Sequence, residues 1–316
     1  MTLIQDRLDK GILTKADRPV RVLSPWVIVE RDDKLRPCLA AVKLNSMTDK
    51  LNMVNETAEE QLQLIQGAEY FTVLDFKADF EQHLVDEGSQ DLLAFEGPDM
   101  NIYNYKSLPY GYINSGAVST SFWKHIKDKE KLRSIDQVDD HLFMHRDAQS
   151  IKADLERILD ICIKYQKTVN FKKLAVGQSS VKWNGLIITQ EGYQADPDRW
   201  KKLLELEINS VDRAVKFYHT AAFWRRFIPD FARRTRELRK AVTTTATWTD
   251  MEKEIVDIKK ALTDQVRLSI FDPNAELIIY TDWSTEEVGA TISQERGILY
   301  FWSRTLTGPQ LNYGPT

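Results

Sequence analysis

An α+β fold is predicted for this chain of 316 residues, and three observations predict it. The apolar run Tyr70-Phe-Thr-Val-Leu-Asp75 has the look of a strand that ends in a carboxylate. Residues Ile135 to Met144 read as short strands with the pair Asp139-Asp140 on the turn between them. Elsewhere apolar residues recur at helical spacing, as in Leu155, Ile158, Leu159 and Ile161.

The elements follow in order. Leu3 to Leu13 carries apolar residues at helical spacing, and a polar link runs from it to about residue 20. Val22 to Leu39 reads as strands around a turn at Arg31-Asp-Asp-Lys34. Ala58 to Gln66 is expected to be helical, and the strand to Asp75 follows. Helices are predicted over Ala117–Lys127 and Ile151–Tyr165, then a strand over Val181–Thr189 with Gly185 inside it. Asp196-Pro-Asp198 makes a helix start, with Pro197 at the first helical position. Helices continue to about Val242, and the threonine-rich run Thr243–Thr249 suggests a linker before a helix from near Asp250. Asp272-Pro-Asn274 breaks the pattern, and Ile278 to Asp282 opens a new β region.

Composition narrows the function. A hydrophobic share of 42% is ordinary for a globular protein. No stretch is apolar and charge-free over the ~18 residues a membrane span requires, and no signal-peptide core stands at the N-terminus, so neither a membrane nor secretion is expected. Cys38 and Cys162 give no disulfide framework, and five scattered histidines argue against zinc. The net charge is −4, yet Arg213 to Lys240 carries nine Lys or Arg against Asp230 and Glu237 alone, while Glu56 to Glu96 is acidic. Such segregation suits a protein that grips a phosphate backbone and also holds a cation; a solvated helix face is the plainer alternative.

Adjacent acids repel, so a fold that sets Asp139, Asp140 and Asp75 in one cleft does so to bind cations. A hydrophilic hairpin turn is the competing reading of the pair alone. The surrounding text decides between them. Leu23-Ser-Pro-Trp26 with Val27 to Arg36, Leu44-Asn45, Gly67 to Asp75, Leu108-Pro-Tyr-Gly-Tyr-Ile-Asn-Ser-Gly-Ala117, Val138-Asp-Asp140, Trp183-Asn-Gly185, Trp224-Arg-Arg-Phe-Ile-Pro-Asp-Phe231 and Tyr280-Thr-Asp-Trp-Ser284 occur in the order of one family's motifs. Along nearly its whole length the chain resembles the reverse transcriptase of gypsy-type LTR retrotransposons, a fragment of a pol polyprotein.

The resemblance implies a right-hand polymerase with fingers and palm over residues 1–190, thumb and connection helices over 191–265, and a truncated RNase H-like α/β domain over 266–316. It implies an RNA-directed DNA polymerase that adds deoxynucleotides to a primer on an RNA or DNA template. Asp75, Asp139 and Asp140 would be the catalytic acids and would hold two magnesium ions, for which manganese could substitute. The carbonyl of Phe76 would complete a shell, Arg36 would bind the triphosphate, Phe80 would screen the sugar, and Tyr110 would pack near the incoming base pair. Phe80 read without the family is a core aromatic. Trp183, Asn184 and Gly185 would steady the primer end. Arg225, Arg226, Arg233 and Arg234 would meet phosphates, although at helical spacing some must be structural. Trp224, Phe227 and Phe231 read as thumb core.

The chain departs from the family at Gln137, at Ala40-Ala-Val42, at Asp136 in the catalytic strand, and at Ala78-Asp79, where the acid is expected to add charge beside the metal site. Asp282 is the first RNase H acid, and the second falls beyond Thr316, so RNA cleavage is not expected of this chain. A dimer, a parent polyprotein, and an intracellular particle or nuclear location are the implied settings. A non-catalytic remnant or domesticated nucleic-acid-binding protein of the same fold is the alternative, and an RNA-dependent RNA polymerase is disfavoured by Phe80 and the RNase H-like segment.

Overall fold

The computed structural model describes residues 2–31, 34–53, 56–243, 248–264 and 266–312. It divides into two compact units, Met1–Leu64 with Phe71–Gly177, and Ile65–Tyr70 with Gln178–Thr316. Among the described residues no helix is long and apolar enough to cross a membrane.

The first unit is organised by the strand Tyr70–Asp75. It lies inside a four-stranded sheet in the order Ser134–Gln137, Asp140–His145, Tyr70–Asp75, Ala175–Gln178. Phe71, Thr72, Leu74 and Asp75 are all buried, as befits an interior strand covered on both faces. The helices Ser115–Glu130 and Ser150–Lys164 contribute Trp123, Ile126, Ile158, Ile161 and Cys162 to one core with Leu74, Phe76, Phe143 and Val169. A second core joins Ile4, Leu39, Leu44, Phe95 and Tyr105 around the sheet Leu13–Lys15, Ile102–Tyr105, Ala94–Glu96. The hairpin Trp26–Arg31 with Lys34–Leu39 stands as a two-stranded sheet whose outer residues Ile28, Val29 and Leu35 are exposed. The predicted turn residues Asp32 and Asp33 lie outside the described residues.

The second unit opens with the antiparallel strands Ser180–Trp183, Leu186–Thr189 and Gly192–Ala195. Helices Pro197–Leu204, Val211–Ala222, Phe231–Arg234, Arg236–Thr243 and Trp248–Thr263 follow. Their buried residues Phe217, Trp224, Phe227, Phe231, Leu238, Met251 and Ile258 make Trp224, Phe227 and Phe231 core, as the sequence predicts. A meander, Ile278–Trp283, Glu287–Gln294 and Gly297–Thr305, completes the unit.

Several predicted elements change. The first helix is Thr2–Asp9 and stops before Leu13, because Gly11 takes a φ of +68° and Leu13 pairs with Tyr105 in a sheet. The predicted single strand over Val181–Thr189 is a hairpin. Asn184 and Gly185 both have positive φ, 46° and 79°, which is the backbone a two-residue turn between antiparallel strands requires. The last long helix begins at Trp248, inside the predicted linker, of which residues 244–247 lie outside the described residues. The start at Asp196 is as predicted: its carboxylate accepts from the Asp198 amide and Pro197 sits at the first turn.

Asp136, an acid unexpected in its strand, proves to be a brace. Its Oδ1 accepts from Trp123 Nε1 at 3.0 Å, Ser134 Oγ at 2.8 Å and His141 Nδ1 at 2.9 Å, and its Oδ2 takes Lys127 Nζ at 2.8 Å. A carboxylate only accepts, so His141 must carry its proton on Nδ1. Burial alone would raise the Asp136 carboxyl, but the bond and charge of His141 and the Lys127 ammonium hold it well below the usual range. The folded protein therefore binds this proton more weakly than the unfolded chain, whose carboxyl titrates near ~3.9. Its contribution is complete above ~pH 5 and is lost as pH falls below ~4. Asp136→Asn should lower stability at pH 7 by roughly 3 kcal/mol and flatten the acid limb of a stability–pH curve; an unchanged acid limb in thermal melts would remove Asp136 from this role.

Candidate active site

The strand Tyr70–Asp75 delivers Asp75 to the edge of the sheet, where two neighbours hold its carboxylate. Oδ2 accepts from Asn170 Nδ2 at 2.8 Å and Oδ1 from Lys173 Nζ at 2.7 Å. Asp75 is only 4% exposed. The next amide, Phe76 N, donates to the carbonyl of Asp139 at 3.1 Å, which stitches the strand end to the adjacent hairpin. In that hairpin Gln137 pairs with Asp140, so Val138 and Asp139 form a two-residue turn. Val138 has a φ of +57°, a costly conformation for a β-branched residue, held here by the pairing on either side.

Three carboxylates thus share one end of the sheet, and Asp139 and Asp140 are both shifted there. Asp139 is raised by burial and by the charges of Asp75 and Asp79. Asp140, at the exposed start of its strand, is pushed up to about 6 by desolvation, by Asp139 and by its hydrogen bond and proximity to Asp75. Lys173 is raised as well, chiefly by its bond to Asp75, which favours its charged form. Among the described residues no three His, Cys, Asp or Glu side chains stand close enough to grip one ion as they are. The donor chemistry nevertheless fits a hard divalent cation: oxygen ligands only, an unrelieved negative cluster, and an ammonium already drawn to it. Asn170 and Lys173 escaped the sequence reading; the basic pair Lys172-Lys173 after Asn170 was the available signal, without a spacing rule to give it meaning.

Beside the acids, Ala78 takes a φ of +51° and starts the tight turn Asp79–Gln82 that carries Phe80. Phe80 is half-buried, its ring 4.9 Å from that of Tyr110. The Tyr110 hydroxyl is pushed up to about 12 by burial and by the charge of Asp139. Its carbonyl accepts from Leu39 N at 2.7 Å, tying this segment to the strand Lys34–Leu39 that bears exposed Arg36. Phe76, by contrast, is 2% exposed in the core, so only its main chain is available to the cleft. The expectation that Asp79 adds charge beside the acids needs correction: its carboxylate turns inward, 2% exposed, and pairs with Lys167 Nζ at 2.7 Å. Its reach into the cleft is a minor push on Asp139.

The other sequence-predicted residues lie in the second unit. Trp183 is buried, which leaves exposed Asn184 and the Gly185 backbone as the outward part of that turn. Arg225 is exposed, and Arg226 lies 5.7 Å from the Tyr300 ring centre. Arg233 makes an exposed pair with Asp230 at 2.8 Å, whereas Arg234 Nη1 reaches both oxygens of Asp257 at 2.7 Å and is tied to its own chain. Asp282 sits on an exposed strand and lines a pocket with Asp230, Arg233, Glu287 and Ser303.

Gly111 tests the tie to Leu39. It has a φ of +101°, and a Cβ there would overlap the Leu39 carbonyl oxygen, whereas Gly67, at +74°, has open space. Gly111→Ala should cost at least ~2 kcal/mol against roughly 1 kcal/mol for Gly67→Ala. Equal losses in denaturant melts would show that the close approach is not what Gly111 serves.

Comparison with known proteins places these observations. Residues 29–188 match the family described as reverse transcriptase (RNA-dependent DNA polymerase), and residues 248–316 match an RNase H-like domain found in reverse transcriptase. The retrovirus-related Pol polyprotein from transposon 297 of Drosophila melanogaster is 25% identical over 98% of this chain. The transposon Tf2-3 polyprotein of Schizosaccharomyces pombe is 23% identical over 99%. This chain spans 30% and 24% of those two polyproteins. The foamy viral protease-reverse transcriptase dRH in complex with double-stranded DNA superposes with a TM-score of 0.90 at 21% identity, over 99% of this chain and 56% of that one. The same viral protein in complex with an RNA/DNA hybrid gives 0.80 over 99% and 43%. These likenesses establish the right-hand polymerase fold with an RNase H-like domain. With its acids at the strand end and hairpin turn inside the matched segment, the chain belongs to the reverse transcriptase (RNA-dependent DNA polymerase) family.

Proposed function

We propose that this chain is the RNA-directed DNA polymerase portion of a gypsy-type LTR retrotransposon pol polyprotein. In this reading residues 1–190 are fingers and palm, 191–265 the thumb and connection, and 266–316 the start of the RNase H-like domain. The protein works in an intracellular particle or the nucleus, on an RNA or DNA template with a primer and deoxynucleoside triphosphates. The observation that carries the reading is the gathering of Asp75, Asp139 and Asp140 at one end of the sheet within the matched segment, where burial first and then Asp139 and Asp75 push Asp140 up to about 6.

Asp75, Asp139 and Asp140 would hold two magnesium ions, or manganese in their place, and the chemistry such ions would supply is activation of a primer 3′-hydroxyl and neutralisation of the pyrophosphate leaving group. The protein supplies the rest. Lys173 holds the Asp75 carboxylate in place through its 2.7 Å contact with Oδ1. Arg36 offers a guanidinium fork to the triphosphate. The Phe80 ring, backed by Tyr110, leaves no room for a 2′-hydroxyl and so selects deoxynucleotides by exclusion. The Asn184-Gly185 turn supports the primer end through its backbone, and Arg225 and Arg226 meet phosphates. A second reading, nucleic-acid binding without turnover, draws on one observation: the Lys173 ammonium already satisfies Asp75.

Primer extension on poly-rA/oligo-dT with magnesium and dTTP decides between them. Wild type should extend, and Asp75→Asn or Asp139→Asn should lower turnover by orders of magnitude with template-primer binding kept. Binding without extension by the wild type would favour the second reading, and full turnover in either variant would refute the assignment of the acids. Phe80→Ala should raise ribonucleotide use at least about tenfold, a change of ~1.4 kcal/mol in discrimination; unaltered sugar discrimination would free Phe80 from this role.

A further inference from the structure

Beneath Phe80 lies an ion pair that the acid cleft does not use. Asp79 and Lys167 are 2% and 7% exposed, and Lys167 Nζ sits 2.7 Å from Asp79 Oδ1. The same ammonium donates to His83 Nε2 at 2.8 Å and lies 5.3 and 5.2 Å from the ring centres of Phe76 and Phe122. Asp79 Oδ2 accepts from Ser119 Oγ on the helix Ser115–Glu130. Phe80 stands between Asp79 and His83, so one buried cation pins its turn on both sides. The neighbouring chain is laced to the same turn: Thr168 N donates to Gln82 Oε1 at 2.8 Å, and Lys77 N to the Thr168 carbonyl at 2.9 Å.

A buried ion pair is a poor source of net stability, because desolvation of both charges offsets their attraction. What it does well is fix geometry, since either charge displaced from its partner is left in an apolar interior. We propose that the Asp79–Lys167 pair is a positioning device that holds the Phe80 ring in place and so sets the selectivity for deoxynucleotides. The inference rests on the polymerase reading above and names the residues that make its sugar filter rigid.

The experiment compares kcat/KM for dTTP and for UTP on the same template-primer, with thermal melts to report folding, in wild type, Lys167→Met and the double variant Asp79→Asn/Lys167→Met. The double variant buries no charge and fills a similar volume, so it should fold even if Lys167→Met does not. Selectivity for dTTP over UTP should fall at least tenfold in the folded double variant, chiefly through better use of UTP, while Lys167→Arg should keep most of it. Wild-type selectivity in the folded double variant would overturn the inference and leave the pair a structural feature alone. Absence of extension by the wild type would instead sink the polymerase reading, and the inference with it.

Discussion

Mutual repulsion among Asp75, Asp139 and Asp140 is the constraint around which the first unit is organised. An interior strand flanked by pairing partners carries Asp75 to its position, and a single backbone bond from Phe76 to Asp139 keeps the hairpin turn against it. None of the three acids could be moved to relieve the others without disturbing that pairing. The repulsion is therefore stored in raised carboxyl proton affinities and partly offset by Lys173. The packing of Trp123, Phe76 and Phe143 below the sheet supplies the stability against which this arrangement is held.

The supports of that edge are unusually polar for an interior. Asp136 joins helix, strand and hairpin through four groups, and His141 from the facing strand stacks within 4.7 Å of Phe76 and 4.6 Å of Trp123. Thr72 Oγ1 and His145 Nε2 lie 2.8 Å apart one strand over, with Asp154 on the other ring nitrogen. The two histidines four residues apart thus serve as connectors between neighbouring elements. Polar contacts of this kind are directional, so they limit how far the hairpin can tilt in a way that apolar packing does not.

Much of this was legible in the chain itself, where periodicity and motif order were strong. Tyr70–Asp75 and the helix Ser150–Lys164 follow from apolar spacing, and Asp196-Pro197 from capping chemistry. What escaped were features decided by residues far apart in sequence. Nothing local distinguishes the inward Asp79 from a surface acid until Lys167 arrives from 88 positions away. Asn170 and Lys173 gain their meaning only by lying beside Asp75. The hairpin at Asn184-Gly185 is a different kind of miss, because its dipeptide is a strong local turn signal that the apolar run around it outweighed.

The basic stretch in the second unit has a consequence for how this protein would respond to ionic strength. Arg234 is engaged by Asp257 through both carboxylate oxygens, and Arg236 reaches Glu286 at 2.8 Å. A cation held by a carboxylate of its own chain displaces few counterions from a polyanion. Each phosphate contact forgone in this way flattens the logarithmic dependence of affinity on salt by about 0.9 for a duplex. On the proposed polymerase reading, binding of a nucleic acid should thus be less salt-sensitive than the count of arginines and lysines suggests, with internal pairing acting as a built-in buffer against changes in the ionic surroundings.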